Sequence, residues 1–190
     1  MTMKTKITDG RVCPWWLIPS FDNPLRRLIH DPQRILAGLV QAGQDVADIG
    51  CGMGYFTIPL AQMVGEQGRV LAVDLQAEML AGLKRRAARA GVLERITLIK
   101  TPAERLELPE QVDFALAFWM VHETPDAGRF LGQILPLLKQ GGKLLVVEPI
   151  IHVSQAAFER TIQAGQAAGF RLLEQPDPVK LSRAALLEAK

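Results

Sequence analysis

Three glycines and one aspartate in the first half of the chain have the spacing of a site for an adenosine-containing ligand. Gly50, Gly52 and Gly54 follow the short apolar stretch VADI, which we interpret as a strand, and Asp74 closes a second apolar stretch, RVLAVD. Glycines let a backbone approach a ligand where a Cβ atom would clash, and the next helix N-terminus offers N–H groups. A carboxylate after the second strand accepts ribose hydroxyls. The pattern predicts a nucleoside-type ligand at the carboxyl ends of the strands.

The spacing of the glycines distinguishes between ligands of this kind. A dinucleotide fingerprint is G-x-G-x-x-G and a phosphate-binding loop is G-x-x-x-x-G-K-[ST]. This chain has G-x-G-x-G, with no lysine in the turn and with Asp48 two residues before the first glycine. The acid opposes a phosphate and suits a ligand that carries an ammonium group, which favours S-adenosylmethionine. Two alternatives stay open at this point, a purely structural turn and an NAD(P)-dependent oxidoreductase.

Composition and charge exclude several classes of partner. A chain of 190 residues fits one domain with a real core, and a net charge of +2 is too small to indicate a nucleic-acid partner. No apolar run is long enough to cross a bilayer, and the N-terminus lacks the apolar region of a secretory signal. Two cysteines make neither a disulfide framework nor a metal cluster. We therefore expect a reduced, cytoplasmic protein without a membrane or nucleic-acid partner.

Apolar strands alternate with helical patterns from about residue 31 onward, and this predicts a parallel α/β sheet with helices on both faces. We expect an N-terminal cap over residues 1–30 and one domain over residues 31–190. Asp31 should cap a helix that runs to about Val40, and a second helix should run from Asp126 to Leu138 and stop before Gly141. Residue propensity makes the C-terminal SRAALLEAK a helix.

Four stretches, VADIGCGMGYFTIPLA, RVLAVDLQAEML, LKQGGKLLVVEP and the late AAGF, resemble successive signatures of class I S-adenosylmethionine-dependent methyltransferases. The N-terminal CPWWL and FDNPLRRLIH resemble those of a small prokaryotic subgroup of this family. The resemblance implies a Rossmann-like, mainly parallel seven-stranded sheet with an antiparallel last strand. It therefore implies that SRAALLEAK is a strand, against its propensity.

The resemblance also implies a set of cofactor contacts. The loop of Gly50, Cys51 and Gly52 would hold the methionine part, and Asp48 would organise this loop and attract the amino group. Asp74 would bind the ribose. In place of the family's Gly-Asp-Ala, the chain has Thr101-Pro102-Ala103, which leaves only backbone contacts to adenine. The other residues implied at the cofactor are Tyr55, Phe56, Leu75, Gln76, Pro102, Ala103, Phe118 and Trp119.

Methyl transfer is an in-line displacement that needs alignment and exclusion of water, and a base only where the acceptor must lose a proton. The candidate bases are His122 and His152, which follow the carboxyl ends of predicted strands, and Glu148, which lies at the same end of its strand. Capping or packing for His122 and anchoring of a loop for Glu148 are the alternatives. Trp15, Trp16 and His30 are candidate substrate contacts, although aromatic residues that only seal the sheet edge would look the same.

Several absences narrow the acceptor. The stretch AFWMVHE after the fourth strand is not of the Asn-Pro-Pro-Tyr type that serves nitrogen methylation in nucleic acid and protein. No carboxylate cluster suggests a metal, and only four residues separate Pro149 from Ser154, which leaves no room for a substrate-binding insertion. We expect a small-molecule methyl acceptor, no metal, and a monomer or homodimer. A non-catalytic protein that binds S-adenosylmethionine is the remaining alternative, because a fold can outlive its function.

Overall fold

The computed structural model describes residues 15, 26–102, 104–176 and 179–190. Within these residues, seven strands form one sheet in the order β3-β2-β1-β4-β5-β7-β6. The first five strands are parallel, and β7 runs antiparallel to both of its neighbours. The strands are β1 Asp45–Ile49, β2 Arg69–Asp74, β3 Ile96–Lys100, β4 Val112–Phe118, β5 Leu138–Pro149, β6 Phe170–Glu174 and β7 Ser182–Ala189.

Helices connect the strands and cover both faces of the sheet. Two separate apolar clusters of buried residues pack against it, one on each face. The described α-helices are α1 Arg26–Ile29, α2 Pro32–Ile35, α3 Thr57–Val64, α4 Ala77–Arg89, α5 Ala127–Ile134 and α6 Gln155–Ala168, and short 3-10 turns lie at Leu93–Arg95, Val121–Glu123 and Leu135–Leu137. The seven-stranded Rossmann-like architecture predicted from the resemblance is confirmed.

The C-terminal strand β7 shows tertiary context overriding propensity. It lies between β5 and β6, and Ala184, Ala185, Leu186 and Leu187 are all buried. A helix made of these residues would bury one stripe, whereas a strand inside the sheet buries both of its faces. Burial in the sheet therefore decides the structure, and the strand implied by the resemblance is confirmed against the helix favoured by propensity.

Two helix boundaries differ from the prediction. Asp31 caps α2 by accepting the Gln33 N–H, but the helix ends at Ile35 instead of near Val40. Asp126 likewise caps α5, which ends at Ile134 because the next residues form a 3-10 turn around Pro136, a residue without an N–H group.

The strand β5 begins at Leu138, where the sequence predicts the end of a helix, and it contains Gly141 and Gly142. The register with β4 shifts there, between the pairs Val112↔Leu138 and Phe114↔Lys143. Gly141 has φ 74°, so it supplies an irregularity inside a strand and does not act as a helix stop.

Gly54 gives a direct test of how the glycine turn is packed. It has φ 86°, and a Cβ atom there would clash with Cδ1 of Leu83, a fully buried residue of α4. We expect Gly54→Ala to lower the free energy of unfolding by roughly 2–4 kcal/mol in urea denaturation, from backbone strain plus overpacking. Gly91→Ala is the matched control, because Gly91 has φ 69° with open space around it and should cost only about 1 kcal/mol. Equal losses would show that the packing against Leu83 is unimportant.

Candidate active site

A cavity of about 300 Å³ opens at the carboxyl ends of β1, β2, β4 and β5. This volume lies in the range of small-molecule sites. Its walls are mainly apolar, and polar side chains lie at a few places on the lining. The predicted site residues that line it are Gly50, Cys51, Gly52, Tyr55, Phe56, Asp74, Leu75, Gln76, Pro102, Phe118, Trp119, His122 and His152.

The glycine loop directs its N–H groups into the protein. The N–H groups of Gly50 and Cys51 both donate to the Val73 carbonyl, at 2.9 and 3.0 Å. The Gly52 N–H donates to Asp74 Oδ2 at 2.9 Å. An anion-binding loop needs its N–H groups turned toward the ligand. What remains for a ligand at these three residues is carbonyl oxygen, an acceptor that suits an ammonium group and not a phosphate.

Asp74 lies between this loop and the cavity. Its Oδ1 accepts the Gln76 N–H at 2.8 Å, so both carboxylate oxygens are held by backbone N–H groups of the surrounding loops. Burial raises the pKa of Asp74, and the hydrogen bonds from Gln76, Gly52 and Leu75 counteract this. A carboxylate held in this way matches a pair of ribose hydroxyls.

Position 50 favours glycine because the loop after β4 approaches its backbone closely. A Cβ atom at Gly50 would lie 3.0 Å from Cβ and Cγ of Met120, which follows β4 and also lines the cavity. The loops after β1 and β4 therefore meet at this part of the cavity lining, and a side chain at position 50 would displace Met120.

Asp48 does not line the cavity. It is 3% exposed, and its Oδ2 accepts the Thr57 hydroxyl at 2.6 Å beneath the loop. Its predicted role in organising the loop fits this position, whereas a direct contact with the ligand's amino group does not. Burial raises the pKa of Asp48 to about 7, with a further increase from Asp74 and opposing effects of Thr57 and Arg26.

The raised pKa of Asp48 gives a stability prediction. Its folded pKa exceeds its unfolded value of about 4, so the ionised carboxylate destabilises the fold, and stability from this group is lost as pH rises from about 4 through 7. We expect Asp48→Asn to be more stable than the parent protein at pH 8 and to lose that advantage as the pH falls to about 4. The gain should be on the order of a few kcal/mol, measured by urea denaturation at each pH. Glu94→Gln, the corresponding change at an exposed carboxylate, serves as the control.

An aromatic cluster forms the wall on the N-terminal side. The rings of Phe56 and Phe118 are 4.3 Å apart, and the ring of Trp119 lies 5.6 Å from that of Phe118. Trp119 has φ 59°, a conformation that costs on the order of 1–3 kcal/mol for a residue with a side chain. Its backbone N–H donates to the Val147 carbonyl at 2.7 Å and its indole N–H donates to Ser182 Oγ at 2.9 Å, and these bonds hold the strained residue in place.

Arg26 is a site residue that the sequence analysis missed. Its guanidinium carbon lies 4.1 Å from the centroid of the Tyr55 ring and within 6.0 Å of Phe56, Phe118 and Trp119. Such contacts are cation–π interactions. Arg26 also lines the cavity. The signal in the sequence was a basic residue inside the unusual segment PLRRLIH, but nothing there distinguished Arg26 from the exposed Arg27.

His122, Glu148 and His152 lie together at the opposite wall. Glu148 is 1% exposed and does not line the cavity, whereas both histidines do. The carboxylate of Glu148 accepts from Val121 N at 3.1 Å and from His122 N and Nδ1 at 3.0 and 2.8 Å. Glu148 therefore anchors the loop after β4, as in the alternative interpretation, and its predicted role as a base does not fit its buried position.

Of the predicted substrate contacts, the two described residues, His30 and Trp15, are not among those that line the cavity. His30 is 2% exposed, and its Nε2 lies 2.8 Å from the Lys180 carbonyl, so it joins α1 to the start of β7. Burial lowers its pKa. Trp15 is 45% exposed, and its backbone N–H donates to Gln76 Oε1 at 3.1 Å. Trp16 and Ala103 lie outside the described residues.

The family follows from comparison with known proteins. A family model described as a methyltransferase domain matches residues 46–142, just over half of the chain. The chain belongs to this methyltransferase family. The resemblance to class I S-adenosylmethionine-dependent methyltransferases is confirmed, and the N-terminal subgroup stays a prediction.

Individual relatives agree with the methyltransferase family. The ubiquinone/menaquinone biosynthesis C-methyltransferase UbiE of Marinomonas sp. is 31% identical over 136 residues, covering 70% of this chain and 52% of the relative. This methyltransferase chain thus spans about half the length of the curated relatives it matches. A SAM-dependent methyltransferase structure from Aquifex aeolicus has a TM-score of 0.85, at 23% identity over 94% of this chain and 100% of that chain. Fibrillarin of Aeropyrum pernix with natively bound S-adenosyl-L-methionine has a TM-score of 0.62, at 18% identity over 78% of this chain and 67% of that chain. The two structures show a shared fold.

Two kinds of feature are missing from the described residues of this methyltransferase. No described helix has the length and apolar character that a membrane span requires. Likewise, no three or more His, Cys, Asp or Glu side chains in the described ranges are grouped so that they could hold a metal ion.

Proposed function

We propose that the protein is an S-adenosylmethionine-dependent methyltransferase whose acceptor is a small molecule bound in the cavity. The observation that carries this proposal is the orientation of the glycine loop. Its N–H groups are used within the protein, so the loop offers carbonyl oxygens beside the Asp74 carboxylate. This is an environment for a ribose and an ammonium group, and it disfavours the pyrophosphate of NAD(P).

The other walls fit the same ligand. S-adenosylmethionine supplies a methyl group activated by a sulfonium, so the protein must align the acceptor and exclude water. Aromatic faces tolerate a cation, and Tyr55, Phe56 and Phe118 provide them next to the loop. The thiol of Cys51 is buried, which raises its pKa, so it lies there as a neutral group.

Binding of the cofactor is the first test. We expect S-adenosylmethionine and S-adenosylhomocysteine to bind with micromolar affinity in calorimetry, and NAD not to bind. Asp74→Ala should weaken both by tenfold to a hundredfold or more, because hydrogen bonds to a charged group contribute about 1.5–3 kcal/mol each. As a control, Glu78→Ala removes an exposed carboxylate from the first turn of α4 and should leave the affinity for both compounds unchanged. If neither compound binds the parent protein, the fold is a relic or serves another ligand.

Arg26 should bind the carboxylate of the methionine part. It is the one Lys or Arg among the described residues that line the cavity, and its charge acts on the buried Asp48. We expect Arg26→Gln to weaken the binding of S-adenosylhomocysteine roughly tenfold. The affinity for 5′-methylthioadenosine, which lacks the amino acid part, should change by no more than about twofold. The exposed Arg27→Gln is the control. An equal loss for both compounds would mean that Arg26 supports the aromatic wall and not the carboxylate.

Transfer to carbon is the finer proposal for the reaction. The relative from Marinomonas is named as a C-methyltransferase of ubiquinone and menaquinone biosynthesis. In this chain, Leu106, Met120 and Phe130 contribute apolar side chains to the cavity lining, a surface suited to an aromatic ring. A small aromatic acceptor therefore agrees with both observations.

A further inference from the structure

Glu148 fixes the orientation and the tautomer of His122. Its Oε2 accepts the backbone N–H of His122 at 3.0 Å and also lies 2.8 Å from Nδ1 of the His122 ring. A carboxylate oxygen can only accept in such a bond. Nδ1 must then carry the hydrogen of the neutral imidazole, which leaves the lone pair on Nε2. A buried carboxylate that holds one ring nitrogen and leaves the other as a base is the arrangement of a carboxylate–histidine pair in hydrolases.

The free edge of this ring belongs to the cavity. His122 lines it and is 23% exposed at its side chain, and no described residue forms a hydrogen bond with Nε2. His152, the second histidine of the cavity, stacks on it with ring centroids 5.7 Å apart. Burial lowers the pKa of His122, but the hydrogen bond and charge of Glu148, with the charge of Glu123, more than offset this and raise it.

We propose that His122, positioned by Glu148, accepts the proton of an aromatic hydroxyl group, so that the methyl acceptor is a phenol. This inference rests on the proposed methyl transfer. A neutral phenol is a poor nucleophile and needs a base, which explains a histidine held by a buried carboxylate at this wall. The apolar lining of Leu106, Met120 and Phe130 accommodates the ring.

Methyl transfer to the phenol begins with the loss of its proton. The phenol O–H proton moves to Nε2 of His122, and the resulting phenolate carries the electron pair to its oxygen or to the ring carbon beside it. That atom forms a bond to the methyl carbon, the S–C bond breaks, and its electron pair stays on sulfur. After attack at oxygen, the proton on His122 leaves to solvent at the exposed edge of the ring. After attack at carbon, the ring proton is lost to water, and the phenolate that results takes back the proton held by His122 to give the methylated phenol.

Ionisation of a bound chromophore tests this role without the natural acceptor. 4-Nitrophenol absorbs at longer wavelength as its phenolate, so its apparent pKa in the complex with protein and S-adenosylhomocysteine is measured by titration. We expect that pKa to lie at least about one unit below the solution value, a tenfold shift in ionisation. 4-Nitroanisole, which has no hydroxyl, should bind without a spectral change that depends on pH.

Variants distinguish the effect of His122 on bound 4-nitrophenol from the effects of the other charged or titratable residues that line the cavity, which are Arg26, Asp74, Glu123 and His152. His122→Gln should return the apparent pKa of bound 4-nitrophenol to the solution value or above, and Glu148→Gln should give an intermediate value. Glu94→Gln makes the same change at an exposed residue before β3, at the opposite edge of the sheet, and should have no effect.

Binding of S-adenosylhomocysteine to each variant distinguishes the possible failures. Retained binding shows that the variant is folded and that the proposed function stands. If the parent protein then fails to bind 4-nitrophenol, or if His122→Gln leaves its apparent pKa unchanged, the inference is overturned alone. If S-adenosylhomocysteine does not bind the parent protein, the proposed function fails and this inference fails with it.

Discussion

The reversal of strand order between β1 and β4 is the constraint on which the rest of the structure depends. From β1 the chain proceeds to β2 and β3 on one side, and it then returns to β4 on the other side of β1. The loops that follow β1 and β4 therefore leave in opposite directions, and a crevice opens between them at the carboxyl ends of the strands. The cavity occupies this crevice, and the two loops meet on its lining where Met120 lies against Gly50.

Buried carboxylates hold the loops around this crevice. Asp74 at the end of β2 binds the N–H of Gly52 in the loop after β1. Glu148 at the end of β5 binds Val121 and His122 in the loop after β4. In each case a carboxylate at the end of one strand holds the loop that follows a neighbouring strand. The backbone N–H groups of that loop supply the hydrogen bonds that a buried carboxylate needs. The same hydrogen bonds that stabilise the edge thus set the positions of the groups that face a ligand.

The N-terminal residues 26–30 close the aromatic side of the cavity through a second set of contacts. The Tyr55 hydroxyl donates to the His30 carbonyl at 2.8 Å, and the His30 ring makes edge contacts with Phe118 and Trp119. These contacts place Arg26 above the Tyr55 ring. His30 is therefore a structural residue that brings a cation to the cavity, which explains why a histidine in this segment looked like a substrate contact in the sequence.

The sequence by itself determined the sheet, the glycine turn, Asp74 and the family, because these depend on local patterns: apolar strands, positive-φ glycines and an acid at a strand end. It also placed His122, Glu148 and His152 at or just after the carboxyl ends of strands. Only the tertiary structure decided that Glu148 holds His122 while the two histidines face the cavity, since these residues come from the ends of two adjacent strands. Likewise, only tertiary structure made SRAALLEAK a strand and Arg26 a site residue, because burial between β5 and β6 and packing against Tyr55 are contacts between distant parts of the chain.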